Sequence, residues 1–179
     1  MTRGLSREAN LMKTFSALII FCAVLTRAAG AQNAPATAPP IAITGWRVEC
    51  DSQGAALNCR VTDQVAQTGS GLVLAGLGIA LATDTKKPVL TLQLPLGLAV
   101  SDPVTLSVDT TSQPYTLITC DRTGCFARAP ISDALLAQMR AAKQQLKVQY
   151  NVIGPTLVKQ TVTLQLPLTG FDASLTKIK

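Results

Sequence analysis

The sequence predicts a mainly β domain, an antiparallel β-sandwich or barrel-like fold with one short α-helix at about 132–144 and two disulfides. Three observations carry this expectation. From Trp46 onward, short apolar stretches with period-two alternation are separated by Gly, Pro, Asp and Ser. A single segment has helical periodicity instead, and four cysteines remain once an N-terminal targeting segment is set aside. Repeated short strands with turn signals between them favour an antiparallel sandwich or barrel over a βαβ fold.

The N-terminal part reads as an address. Basic Arg3, Arg7 and Lys13 lead into the apolar run Phe15 to Leu25, which ends in Ala29-Gly30-Ala31. This is the pattern of a secretory signal peptide over 1–31, cleaved between Ala31 and Gln32. The run is too short for a transmembrane helix, which needs roughly 20 residues. Met12-Lys13 makes a more typical start than Met1, and Cys22 follows Phe21 where lipoprotein processing wants a small residue, so Cys22 leaves with the peptide. A Pro/Ala-rich linker over 32–44 comes next, its stretch Gln32 to Pro40 uncharged and suited to extended, solvated chain. The domain occupies 45–179.

Removing the peptide changes the charge. The whole chain carries 16 Lys+Arg against 10 Asp+Glu. Without Arg3, Arg7, Lys13, Arg27 and Glu8, 12 basic and 9 acidic residues remain, so half of the formal +6 was targeting. Only one Trp, two Tyr and the Phe pair Phe126 and Phe171 stay in the mature chain, too few aromatics for a single-stranded nucleic-acid surface. The sequence has no His, which excludes Ser-His-Asp and Cys-His triads, His-bearing zinc sites and His proton shuttles.

Candidate strands follow in order at Gly45–Cys50, Leu57–Val65, Leu72–Ala82, Val89–Leu94, Val104–Val108, Tyr115–Cys120, Cys125–Ala129, Leu146–Val152 and Leu157–Leu166, with turns at Asp51 to Gly54, Thr83 to Pro88, Asp109 to Pro114 and Ile153 to Pro155. The helix has Ser132 as N-cap, Asp133 at the positive end of its dipole, and the apolar stripe Leu135, Leu136, Met139, Ala142; it should cover an open end or edge of the sheets. Thr91-Leu92-Gln93-Leu94-Pro95-Leu96 recurs as Thr163-Leu164-Gln165-Leu166-Pro167-Leu168, which reads as two strands with one alternation ending at proline rather than as a duplication.

The mature cysteines are Cys50, Cys59, Cys120 and Cys125. Of three possible connectivities, Cys50–Cys59 and Cys120–Cys125 is the simplest, with loops short enough to contribute roughly 2–3 kcal/mol each. A four-cysteine zinc site or a redox pair competes, but structural zinc wants closer knuckles than Cys50-x8-Cys59 and thiol redox motifs want Cys-x2-Cys. Other chemistry is sparse. Gly69 to Gly78 fits neither phosphate-binding glycine motif and reads as a strand whose glycines allow a bend, a bulge or close packing. Glu49 and Asp51 flank Cys50 on one strand face without forming an acid pair. Arg122 and Arg128 beside the Cys120–Cys125 loop are placed either to contact an anionic ligand or to form a solvated rim, the commoner use of such charges. No catalytic set, cofactor or metal is assigned.

Trp46-x3-Cys50 with Cys59, Leu94-Pro95-Leu96-Gly97-Leu98, Leu106-x-Val108-Asp109, Cys120-x3-Gly124-Cys125-x-Ala127, the amphipathic helix and Gly170-Phe171-x-x-Ser174-Leu175 together resemble the invasion-associated locus B (IalB) family of exported proteins of Gram-negative bacteria. The resemblance runs from about Trp46 to Leu175. It implies a periplasmic or envelope-associated protein with a compact, disulfide-bonded β domain. It supplies no catalytic residues to carry over. The export signal, the stapled β domain and the absence of a catalytic set lead to a non-enzymatic protein in the periplasm, associated with the outer membrane or secreted, that binds an envelope or host protein, with no nucleic acid and no transmembrane span in the mature form. The alternative is a periplasmic hydrolase or enzyme inhibitor built on Asp, Ser and Arg residues that form no recognisable motif.

Overall fold

A computed structural model describes residues 40–53, 56–141 and 144–178. The expected signal peptide, the expected cleavage site at Ala31 and Gln32, and the expected linker before Pro40 lie outside the described residues, as does Ala142 of the helix stripe. Eleven strands occur among the described residues. The first five are β1 (Ile41–Ile43), β2 (Arg47–Gln53), β3 (Ala56–Gln67), β4 (Val73–Leu81) and β5 (Pro88–Leu94). They are followed by β6 (Val104–Val108), β7 (Thr111–Tyr115), β8 (Leu117–Asp121) and β9 (Gly124–Pro130). After helix α1 (Asp133–Ala141) come β10 (Gln145–Ile153), β11 (Lys159–Pro167), a five-residue helix α2 (Phe171–Leu175) and a 3-10 turn (Thr176–Ile178).

All pairings are antiparallel, in two open sheets. One has seven strands in the order β1-β3-β4-β5-β9-β8, with β2 also on β3; the other has four, β11-β10-β6-β7. Alternation explains the packing. On β4 and β5, Ala75, Leu77, Ile79, Leu90, Leu92 and Leu94 point inward with almost no exposure, and they join Leu106, Val108, Leu146, Val148 and Leu166 of the second sheet in one buried cluster. Each fully buried Leu or Ile contributes about 1.5–3 kcal/mol, so this shared layer makes the fold a sandwich. The two copies of Thr-Leu-Gln-Leu-Pro lie in different sheets, each turning its leucines to the core and ending where Pro95 or Pro167 has no N–H to give.

Several elements depart from the sequence reading. Ile41–Ile43, inside the span assigned to the linker, pairs with Val65–Gln67 of β3. The expected turn Asp109 to Pro114 shrinks to Asp109-Thr110, with Asp109 at φ 53, because β7 pairs back onto β6 from Thr111 and puts Pro114 opposite Thr105. Proline is tolerated there because β7 is a sheet edge. The single strand expected over Tyr115–Cys120 is two, since the chain changes sheets at Thr116. The helix is shorter than 132–144: it begins after Ser132, whose Oγ accepts from Leu135 N at 3.3 Å, while Gln144 is a bend and Gln145 already belongs to β10. It packs on β6, β7 and α2, and Arg140 Nε donates to Asp172 Oδ1 at 2.6 Å.

The second helix was not expected. Phe171 stacks edge-on against Trp46, ring centroids 4.8 Å apart, while Trp46 Nε1 donates to the Pro167 carbonyl at 2.8 Å and Ser174 Oγ to the Trp46 carbonyl at 3.4 Å. The start and end of the domain are thus locked together. A second bridge between sheets arises at a bulge. Val65 opposes Ala75 but Ala66 opposes Val73, leaving Leu74 as the extra residue, and its carbonyl accepts the Tyr150 hydroxyl at 2.9 Å.

Candidate functional site

The cysteines occupy opposed positions: Cys50 faces Cys59 across β2–β3 and Cys120 faces Cys125 across β8–β9, and both pairs are disulfide-bonded. In the second hairpin Gly124 takes φ 144, and a β-carbon there would run into the Leu94 carbonyl, so the spacing Cys120-x3-Gly124-Cys125 is set by close backbone approach.

The outer face of the seven-stranded sheet holds the groove. Registers place Arg47, Thr62, Gly78, Thr91 and Arg128 in one row across β2, β3, β4, β5 and β9. The row beside it runs Gln64, Gly76, Gln93, Phe126. With glycine at both centres the sheet surface sinks between longer side chains, leaving an open groove of about 450 Å³. Sequence reasoning saw these glycines as relief for a bend or bulge. The bulge exists, at Leu74, but Gly76 and Gly78 form a floor, which only the register of five strands could reveal.

Charges line one wall. Arg47 Nη2 lies 2.7 Å from Glu49 Oε1, and Arg60 spans Glu49 at 3.4 Å and Asp51 at 3.2 Å. Partial burial of Glu49 works against its charge, but the nearby Thr62 hydroxyl and the Arg47 and Arg60 guanidinium groups outweigh it and hold the carboxyl below its usual range. Thr62 is buried, with its Oγ1 beside the Glu49 carboxylate. Arg128 is exposed and has no carboxylate partner among the described residues. Of the two arginines singled out beside the Cys120–Cys125 loop, Arg128 lines the groove and Arg122 stays on the exposed β8–β9 turn.

Asp63 differs from these acids. Alternation along β3 turns it inward between Val61 and Val65, where burial pushes its carboxyl up despite hydrogen bonds from Gln64 N at 2.7 Å and Thr44 Oγ1 at 3.2 Å. Its Oδ2 has no partner. Burial likewise pushes the Tyr115 and Tyr150 phenols to about 12. The raised carboxyl therefore belongs to a side chain turned toward the core from β3, and the lowered one to the arginine-paired Glu49 on β2.

At one end of the sandwich the surface turns apolar. Ile153 N donates to the Gly97 carbonyl and Ala99 N to the Asn151 carbonyl, both at 2.9 Å, so the loop after β5 lies against the β10–β11 turn. Leu96, Val100, Ile153, Leu157 and Val158 are exposed there, Leu157 at 85% and with φ 58. A polar clamp fixes this end: Asp102 accepts from Asn151 Nδ2 at 2.7 Å and pairs with Lys159 Nζ at 2.8 Å, which holds its carboxyl below the usual range.

A family model described as invasion associated locus B (IalB) protein matches residues 46–179. The crystal structure of invasion associated protein b from Bartonella henselae is similar to this chain at 25% identity and a TM-score of 0.62, covering 74% of this chain and 89% of that one. No curated protein matches significantly. Among the described residues, no helix is long and apolar enough to cross a membrane, and no group of three or more His, Cys, Asp or Glu side chains gathers as a metal site.

Proposed function

The chain belongs to the invasion-associated locus B family, and we propose that it is an exported, envelope-associated, non-enzymatic protein that acts by binding an envelope or host protein. The observation that carries this reading is the apolar end. Leu96, Val100, Ile153, Leu157 and Val158 are exposed on two loops that hydrogen bonds and the Asp102 clamp hold together. Clustered exposed apolar side chains on a fixed frame mark contact surfaces, whereas scattered ones are ordinary. Export is supported by the basic-apolar-small pattern of 1–31 and by two disulfides, which persist in oxidising compartments. The name of the similar Bartonella henselae protein, invasion associated protein b, is consistent with a host-facing partner.

Envelope fractionation of cells expressing the full chain tests the reading. The native chain is expected to co-sediment with membranes, and a Leu157→Asp/Val158→Asp variant to move to the soluble periplasm with its disulfides intact. Native protein found only as soluble monomer, or only in the cytoplasm, would sink the proposal.

A further inference from the structure

We propose that the glycine-floored groove on the outer face of the seven-stranded sheet binds an anionic saccharide, a sugar unit bearing a carboxylate or a phosphate. The site is separate from the apolar end and does not depend on it. The floor is the first observation. Neither Gly76 nor Gly78 has positive φ, and a β-carbon on Gly78 would meet nothing nearer than Arg60 Cδ at 3.8 Å. Neither backbone conformation nor packing demands glycine at 78, and glycine weakens a strand, so its effect is to leave the backbone open to close approach.

The walls supply the chemistry. Arg47 and Arg128 close the two ends of the Gly78 row, and Arg128 lacks a carboxylate partner among the described residues. A guanidinium meets a carboxylate or phosphate through paired N–H donors, the geometry an acidic sugar substituent would complete. Thr62 and Thr91 flank Gly78 in its row and line the groove. In the adjacent row, Phe126 offers a half-buried ring beside the Gln64 and Gln93 amides; Gln93 Nε2 is taken by the Thr123 carbonyl at 3.0 Å, which leaves its oxygen as an acceptor. An apolar ring bordered by amides, a hydroxyl and guanidinium groups fits a sugar, which has C–H faces and a hydroxyl rim. A nucleic acid fits less well, because Phe126 is the one aromatic that lines the groove among the described residues.

The test is titration of the mature, disulfide-bonded protein with digalacturonic acid and glucose 6-phosphate, with maltose and inorganic phosphate as comparators, read by amide chemical shifts. The expected result is saturable shifts at Gly76, Gly78 and Thr91 with one or both acidic sugars, weaker binding of maltose and phosphate, and roughly tenfold or greater loss of affinity in Arg128→Gln and Gly78→Val. Arg128 is exposed, so its variant keeps the question open to test even if Gly78→Val fails to fold. No saturable binding of either acidic sugar, affinity for inorganic phosphate equal to that for the sugars, or indifference to Arg128→Gln would overturn the proposal.

Discussion

Trp46→Phe removes one hydrogen bond from the contact that joins the two ends of the domain while keeping an aromatic ring against Phe171. In the native chain Trp46 is 9% exposed, its Nε1 donates to the Pro167 carbonyl at 2.8 Å, and its ring meets Phe171 at 4.8 Å. Losing a buried hydrogen bond, with the carbonyl left unpaired, costs about 1–3 kcal/mol. The smaller ring adds about 1 kcal/mol for lost burial and the space left behind. The expected destabilisation is about 2–4 kcal/mol, a large part of the roughly 5–15 kcal/mol available to a domain. The assay is urea unfolding at pH 7 with both disulfides intact, followed by far-ultraviolet circular dichroism because Trp46 is the only tryptophan. A double-mutant cycle of Trp46→Leu with Phe171→Leu, which removes the ring pair from either side, should return a coupling of about 0.5–1.5 kcal/mol. A loss below about 0.5 kcal/mol in Trp46→Phe, with no coupling to Phe171, would refute the lock.

Three further outcomes follow from the same coordinates. Gly124→Ala should cost about 3 kcal/mol or more in thermal unfolding, because a side chain at φ 144 is strained and would meet the Leu94 carbonyl. Asp63→Asn should become progressively more stable relative to the native chain as pH rises from 3 to 7. Because burial raises the folded Asp63 pKa above the ordinary carboxylate range, the folded state holds the proton more tightly; native stability therefore falls as pH climbs from the ordinary value through the raised one, and a flat difference between the two proteins would contradict this. Replacing Cys120 and Cys125 together by Ala should lower stability by about 2–3 kcal/mol, and reduction should raise the intact mass of the native domain by about four hydrogens.

Strictly alternating strands were legible because each turns one side chain in two to a shared core: Val104–Val108 matches β6 at both ends, and the strands around Ile79, Leu92 and Val148 fall where expected. Short elements were not. Ile41–Ile43 and Phe171–Leu175 are less than two periods of any pattern, and their place comes from distant partners, Val65–Gln67 and Trp46. Pro114 disguised β7 as a turn, since nothing local says that its missing N–H faces away from the one neighbouring strand. The cysteine pairs could be proposed from spacing, which short hairpins preserve. The groove could not, because Arg47 and Arg128 stand 81 positions apart in sequence and become ends of one row only through four successive strand registers.

The central claim, that the chain works by contact through its apolar end, is tested most directly by crosslinking in intact cells with a photoreactive side chain at position 157, using position 163 on the exposed side of β11 as control. A discrete adduct with one envelope or host protein is expected from position 157 and little from 163. Recovery of uncrosslinked monomer from both positions, or identical adducts from both, would contradict it.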